Sequence, residues 1–368
     1  MTISRSPTPD LSSLTIKDGG SADEKKKKGE ADSFVRRDLY EERQTLESGI
    51  GVFATVVIPS GTRIFCEESV VMLPDAAGQL ELYQAVKALS GGKSQMYWNL
   101  AGSTKPSKDV GWIDTLRSSC EEDATENFNT LVEEHEQAWS IYETNRFICR
   151  SLDGPKTSLG VFPASARINH SCSPNVFHRY SPTIDRLTVH ALREIQPGEE
   201  LVTSYIDICH PTAVRRQILK HWGFRCRCAA CDSPDDEEDH RRKKIEDLYT
   251  KLKGLEKKRA SSTKEKGYEK FMNLVTRVIK LLEKEGMEES DTLGVAYKTA
   301  VRVGMILGTT DRERLVEWAE KAVGIEAKCL GEDSKEYIAA TRLLEAARQS
   351  QLDRMDETKI TNSSSLLD

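Results

Sequence analysis

The order of apolar and polar positions divides the chain into three textures. Between residues 49 and 73, "GIGVFATVVIPSGTRIFCEESVVML", β-branched residues dominate and Pro-Ser-Gly falls in the middle, which predicts a strand, a turn and a second strand. From about 75 to 146 the apolar residues recur at helical spacing, with Trp98, Trp112 and Trp139 among many glutamates and the loops "SGGKS" and "AGSTKPSKD" as breaks. This predicts a helical insertion between strands. Residues 147–207 return to short segments broken by Gly, Pro and Asn, and "TAVRRQILKHW" then predicts one helix, with Thr212 as N-cap and Gly223 just past its end.

Two stretches echo each other. "ATVVIPSGTRI" (54–64) and "ALREIQPGEEL" (191–201) both read A-x3-I-x2-G-x2-aliphatic, so the same strand, turn and strand geometry is expected of both. A Pro and Gly turn between half-buried strands favours that pattern without any duplication. "DSPDDEEDHRRKK" (232–244) reads as a charged linker. Beyond it, helix-sized segments near 244–258, 266–285, 292–307, 312–328 and 334–349 are separated by Gly or Asp breaks, as in stacked helical hairpins, and residues 351–368 read as a frayed tail.

Length and composition bound the possibilities. The 368 residues, 38% hydrophobic and 30% charged, suit two or three globular domains, and no run approaches the roughly 18 to 20 apolar residues of a membrane helix. The first 33 residues lack the apolar core of a secretory signal and are polar enough for disorder, so the nucleus, the cytoplasm or both are the expected location. Nine cysteines in such a compartment stay mostly reduced, and close spacing then points to metal before disulfide. A net charge of −6 gives no global attraction to nucleic acid. No direct nucleic-acid or membrane binding is expected, and the chain is expected to act as a monomer. The basic runs Lys25–Lys28 and Arg241–Lys244 read as solvated, with nuclear import as the functional alternative for the first.

The chemistry is concentrated in two places. In "GFRCRCAACDSP" (223–234), Cys226, Cys228 and Cys231 form a C-x-C-x2-C trio that can reach one ion, and a closed tetrahedral zinc site then needs a fourth ligand from elsewhere. Cys172, in "RINHSCSPNVFH" (167–178), is the candidate, with His170 as an alternative. Cys66, Cys120, Cys149, Cys209 and Cys329 lie in apolar or helical settings and read as small buried hydrophobes. In "PGEELVTSYID" (197–207), alternation puts Leu201, Thr203 and Tyr205 on one face, where Tyr205 alone would be a core residue with its hydroxyl tied off.

"GIG" (49–51), "NRF" (145–147), "NHSCSPN" (169–175), "GEELVTSY" (198–205) and "CRCAAC" (226–231) stand in the order and spacing of a SET domain with its post-SET zinc segment. The chain most resembles the SET and MYND-type lysine methyltransferases and their fungal SET-five-like relatives. The resemblance implies an α+β protein: residues 34–222 as a mostly-β SET domain with a knot-like crossing and a helical insertion, 223–234 as the zinc segment, and 235–350 as an all-α, tetratricopeptide-like domain, with flexible tails at 1–33 and 351–368. It implies S-adenosylmethionine as methyl donor, one structural zinc ion, and lysine in a protein or peptide, histone tails included, as acceptor.

Residue by residue, the resemblance puts Gly49, Ile50, Gly51, Asn145, Asn169, His170, Tyr205 and Phe224 at the cofactor. It makes Tyr205 catalytic, gives Phe147 and Trp222 to the lysine channel, and assigns Cys172, Cys226, Cys228 and Cys231 to zinc. The chain departs from the animal members in lacking the MYND zinc module, since residues 72–145 hold only Cys120, and Ile50 offers main-chain polarity alone. A second reading is a SET-fold scaffold that docks partners. The zinc-deaminase reading is disfavoured, because the chain lacks the H-x-E and P-C-x-x-C pairing that would activate water.

Overall fold

The structure, a computed structural model, describes residues 34–45, 49–102, 111–118, 125–151, 157–232, 235–259, 265–287, 290–309 and 311–364. In chain order the first strands are β1 (Phe34–Val35), β2 (Tyr40–Gln44), β3 (Ile50–Ala54), β4 (Arg63–Glu67) and β5 (Val71–Pro74). Four helices follow, α1 (Gln79–Lys87), α2 (Gly91–Trp98), α3 (Gly111–Ser118) and α4 (Thr125–Asn145). The helical insertion is therefore present. Then come β6 (Arg146–Arg150), β7 (Thr157–Val161), the one-turn helix α5 (Pro163–Ala166), β8 (Asn169–His170), β9 (Val176–Ser181), β10 (Arg186–Ala191) and β11 (Glu200–Thr203). Helices α6 (Thr212–Leu219), α7 (Ala229–Asp232), α8 (Asp236–Arg259), α9 (Glu265–Lys284), α10 (Asp291–Ile306), α11 (Arg312–Leu330) and α12 (Lys335–Ser364) complete the chain.

The strands form three small sheets, ordered β1-β4-β10-β9, β2-β3-β11-β8 and β5-β7-β6. All pairings are antiparallel except β8 with β11, where Asn169 faces Val202 and His170 faces Thr203 in parallel register. The segment carrying β8 is thus drawn alongside the strand that leads to Tyr205. The two echoing stretches prove to be partners: Ile58 and Ile195 exchange backbone hydrogen bonds of 2.9 Å in each direction. Gly61 and Gly198 turn the chain at φ +80° and +83°, a region that favours glycine.

Val52, Ile58, Ile64, Phe65, Ile168, Val189, Ile195 and Leu201 fill the core between the first two sheets. The insertion buries Leu82, Tyr97, Ile141 and Tyr142 against Leu159 and Val161. The helices α8–α12 pack each on the next, and their core takes in Phe177 and Leu192 from the sheet region. Arg63 with Asp333 and Arg179 with Asp291 add ion pairs across the same boundary.

Four readings of the pattern are corrected. The stretch read as a linker is mostly helix, because α8 starts at Asp236 with four acidic residues in its first turn, where the helix dipole favours them. Arg241 and Arg242 are not solvated; both pair with Glu285, whose side chain is buried. Thr212 is the first helical residue rather than the N-cap: its N–H and hydroxyl donate to Asp239 of α8 at 2.8 and 2.9 Å, so a carboxylate distant in sequence caps α6. Helix α12 runs to Ser364, past the expected end near 349. Gly223 does end the turn after α6, at φ +78°. Cys66, Cys149, Cys209 and Cys329 are buried, as expected of small hydrophobes. Cys120, Lys25–Lys28 and the first 33 residues lie outside the described residues.

Candidate active site and metal centre

The strand β11 delivers Tyr205. Leu201, Thr203 and Tyr205 are buried on one face as the alternation predicts, and Ser204 and Ile206 are buried as well, because other chain covers the second face. The Tyr205 hydroxyl donates to the Ile168 carbonyl at 2.7 Å, and its backbone N–H donates to His170 Nδ1 at 3.0 Å. One three-residue segment therefore holds the tyrosine at both ends. Because Nδ1 accepts, the neutral His170 ring carries its proton on Nε2, which lies 3.4 Å from Cys172 Sγ. His170 is thus a hydrogen-bond partner of the sulfur group, and the alternative in which it replaces a cysteine ligand is not supported.

Aromatic rings surround Tyr205. Centroid distances are 5.3 Å to His170, 5.3 Å to Trp222 and 6.4 Å to Phe224. Trp222 is anchored by its indole N–H on the Thr144 carbonyl at 3.1 Å, which ties the end of the insertion to the turn just before the cysteine trio. Phe147 is placed elsewhere. It is buried in a neighbouring cluster, edge-on to Phe162 at 5.7 Å and to His178 at 5.1 Å.

The Gly49–Gly51 loop comes to the same place from the other side. Gly49 has φ +74°, and a Cβ on Gly51 would lie 2.5 Å from Glu200 Oε1, so both glycines answer a physical demand. The Asn169 amide nitrogen donates to that Glu200 oxygen at 2.8 Å and to the Ile50 carbonyl at 3.4 Å. Asn145, buried at the end of α4, donates from its amide nitrogen to the carbonyls of Ala101 at 2.6 Å and Ile141 at 2.8 Å. In both asparagines the N–H side serves the protein.

Cys172, Cys226, Cys228 and Cys231 converge, with all four sulfurs within 4.8 Å of one another. Cys172 Sγ and Cys231 Sγ are 3.6 Å apart. Four sulfurs at about 2.3 Å around a tetrahedral ion stand roughly 3.8 Å from each other, so the set has the dimensions of a zinc site. The Cys172 sulfur, as hydrogen-bond donor, and those of Cys226 and Cys231 hold the Cys228 thiol far below its ordinary range, and Cys172 likewise draws Cys231 down to about 6. Hydrogen bonds to Cys226 and then to the other two sulfurs push the Cys172 thiol up, because its proton is shared with them.

Two residues that pattern reading did not single out support these groups. Arg215 is fully buried beside the sulfurs, its guanidinium bonded to the His210 carbonyl at 2.6 Å, Thr212 Oγ1 at 2.9 Å and the Ala230 carbonyl at 3.2 Å, and 4.0 Å from Cys231 Sγ. A fixed positive charge there offsets thiolate charge. Asn175, also fully buried, clamps the crossing: its amide donates to Glu199 Oε1 at 3.0 Å and the Glu200 carbonyl at 2.8 Å, and its Oδ1 accepts from the Val202 N–H at 2.8 Å. The only signal for it was its place in "NHSCSPN".

Comparison with known proteins agrees with this arrangement. Residues 49–206 match the SET domain family model. The histone-lysine N-methyltransferase set5 of Schizosaccharomyces pombe is 32% identical over 216 residues, 58% of this chain and 56% of that protein. The N-lysine methyltransferase SMYD2 of Homo sapiens is 43% identical over 79 residues, 21% of this chain and 18% of that protein. The chain thus matches little more than half the length of the first and under a fifth of the second. A solved SET domain of LSMT bound to lysine and AdoHcy covers 87% of this chain and 89% of that one at 14% identity, with a TM-score of 0.30, a likeness on which nothing below is built. Residues 49–206, the stretch that carries the glycine loop, Asn169, His170 and Tyr205, are therefore similar to a SET domain.

Proposed function

We propose that the chain transfers methyl groups from S-adenosylmethionine to the side-chain amine of lysine in a protein or peptide. The observation that carries this reading is the convergence on one buried tyrosine: Tyr205 is fixed at its hydroxyl and its backbone by residues 168–170, ringed by His170, Trp222 and Phe224, and flanked by a sulfur cluster that fastens the post-SET stretch. The match of residues 49–206 to the SET domain model and the names of the two relatives support the same reading.

The residues present fit the cofactor. The main chain at Gly49, Ile50 and Gly51 would approach its methionyl end, where a side chain at position 51 would collide with Glu200. Asn145 and Asn169 each offer an Oδ1 acceptor suited to an ammonium group, since their N–H groups are already committed. His170 and the partly exposed Phe224 would complete the adenine side. When bound, S-adenosylmethionine supplies an electrophilic methyl group on a sulfonium. The four cysteines would hold one zinc ion, and the metal's role is structural: it ties Cys172 to the segment that presents Phe224.

Trp222, 5.3 Å from the Tyr205 ring, would wall the passage for the substrate lysine, whereas Phe147 lies in the neighbouring cluster. An apolar aromatic wall disfavours the ammonium, lowering a lysine pKa from its ordinary value of about 10.4 and releasing the lone pair that attacks. The Tyr205 hydroxyl proton is committed to Ile168, so the oxygen lone pairs and that carbonyl remain to orient the amine, and positioning in line does the catalytic work. The helices α8–α12 are read as a tetratricopeptide-like array, and the cleft between them and the sheet region, about 1380 Å³ counted out to open solvent and lined by Pro174, Ser204, Met287 and Asp291 among others, would receive the polypeptide flanking the lysine. Because set5 is a histone-lysine N-methyltransferase, histone tails are the first substrates to try. Calorimetric titration with S-adenosylmethionine tests the reading: wild type and Tyr205→Phe are expected to bind alike while Tyr205→Phe turns over at least about a hundredfold more slowly. Absence of binding in folded, zinc-loaded protein would favour a scaffold instead.

A further inference from the structure

The short helix α5 stands immediately before the segment that grips Tyr205, and its first turn has an unusual origin. Phe162 at the N-cap has no side chain able to cap, and Pro163 at the first position has no N–H. The next two N–H groups find their acceptor 97 and 98 residues away in sequence. Ala164 N–H donates to Glu67 Oε1 at 2.8 Å, Ser165 N–H to Glu67 Oε2 at 2.9 Å, and the Ser165 hydroxyl to the same Oε2 at 2.8 Å. Ala166 N–H already reaches the Phe162 carbonyl at 2.8 Å. Every donor of the turn is therefore accounted for, and Glu67 takes all those that the turn itself cannot satisfy.

Glu67 is nearly buried and ends β4, opposite Leu187 in the sheet β1-β4-β10-β9, which does not contain Tyr205. From α5 the connection to the tyrosine is two residues long: Ile168 N–H bonds back to the Ser165 carbonyl at 3.2 Å, and the Ile168 carbonyl receives the Tyr205 hydroxyl at 2.7 Å. Three donors converge on the carboxylate and no acceptor faces it in these bonds. An amide in its place would turn an NH2 against one N–H and lose that bond.

We propose that Glu67 is a positioning residue for the reaction: by gripping α5 from a second sheet it fixes the Ile168 carbonyl, and through it the Tyr205 hydroxyl, in the geometry that methyl transfer requires. The proposal rests on the methyltransferase reading above, which assigns Tyr205 its role. A cap that matters only for folding would lower stability without regard to Tyr205; a positioning residue acts through it.

The test uses the full chain, zinc-loaded, with Glu67→Gln, Ser165→Ala, Tyr205→Phe and the Glu67→Gln/Tyr205→Phe pair. The first readout is the ¹³Cζ resonance of Tyr205 in ¹³C-tyrosine-labelled protein, assigned by its loss in Tyr205→Phe. It is expected to shift in Glu67→Gln and, by less, in Ser165→Ala, which keeps the carboxylate and removes one donor. The second readout is turnover on a histone-tail peptide. Glu67→Gln is expected to lose about 10- to 100-fold in kcat, the scale of a sub-ångström to 1 Å misplacement, with KM and cofactor affinity within about twofold of wild type. In the Tyr205→Phe background the same change should cost less than about twofold, since the contact it serves is gone. An unmoved Tyr205 resonance in both Glu67→Gln and Ser165→Ala, or losses that multiply in the double variant, overturns the proposal. A shifted resonance in a protein whose wild type transfers no methyl group overturns the functional reading and leaves the link from Glu67 to Tyr205 standing. Should Glu67→Gln fail to fold, Ser165→Ala decides by the same two readouts.

Discussion

Asn175→Ala is the perturbation whose consequence follows most directly from the geometry. The side chain is fully buried and makes three hydrogen bonds where the segment 169–175 passes beside β11. Truncation leaves the Val202 N–H without its acceptor and the Glu200 carbonyl without this donor, each a buried backbone group worth about 1 to 3 kcal/mol when stranded. Glu199 loses less, because Arg193 and the Gln196 N–H still hold it; the Arg193 hydrogen bond is the main reason its carboxyl is drawn down to about 2. The total is about 4 kcal/mol, which is roughly a thousandfold in an equilibrium constant. Amide hydrogen exchange resolved at Val202 is the assay, because that N–H is protected by Asn175 Oδ1. The exchange rate should rise about a thousandfold in Asn175→Ala, and Asn175→Asp should not rescue it, since a second carboxylate would face the ionised Glu199. A rise of less than about tenfold would refute the assignment of Asn175 as the clamp of the crossing.

Three further outcomes are expected. Cys172→Ser should cut zinc affinity by more than the roughly 10- to 100-fold that loss of an outer partner costs, read by competition with a chromophoric chelator, because only the C-x-C-x2-C trio remains. Arg215→Met, which keeps volume and removes the buried charge beside Cys231, should weaken zinc by about 10- to 100-fold in the same assay while leaving all four sulfurs in place. His190 lies buried with Arg63 Nε donating to its Nε2 at 2.9 Å and Asp333 beyond; burial, then the Arg63 charge, presses its pKa from 6.5 to about 3. The unfolded chain therefore binds the extra proton between those values, so the contribution of His190 is full above about 6.5 and falls by up to about 1.4 kcal/mol per pH unit toward 3. Asp291, raised to about 6 by burial, acts in the opposite sense, so the comparison is urea unfolding of wild type against His190→Asn, whose acid limb should be flatter.

The elements that declared themselves in the pattern were those stabilised locally. The five C-terminal helices carry apolar periodicity and breaks at their ends, and the paired turns around Gly61 and Gly198 carry their turn chemistry within a few residues. The cysteine trio was legible for the same reason, since three of the cysteines fall within six residues; the fourth, 54 residues upstream, was a candidate beside His170 until the geometry brought the four sulfurs together. What stayed hidden depends on contacts between distant segments. Asp239 caps α6 and Glu67 caps α5, two instances of one device that no window of sequence reveals. Arg241 and Arg242 read as a solvated run because Glu285, their partner, lies on the far side of a helical hairpin. Asn175 acts where the segment 169–175 passes β11 and Arg215 where α6 meets the cysteine segment, and their residue types alone are ordinary.

The central claim is that Tyr205, in its aromatic ring of neighbours, serves methyl transfer to lysine. Purified, zinc-loaded protein incubated with S-adenosylmethionine carrying an isotopically labelled methyl group and a methylation-depleted protein extract, followed by mass spectrometry of modified residues, tests it most directly. The account predicts labelled methyl groups on lysine side-chain nitrogens, at least about a hundredfold fewer with Tyr205→Phe. Labelled lysines in equal number with Tyr205→Phe, or none at all with a wild-type protein that binds the cofactor, would contradict it.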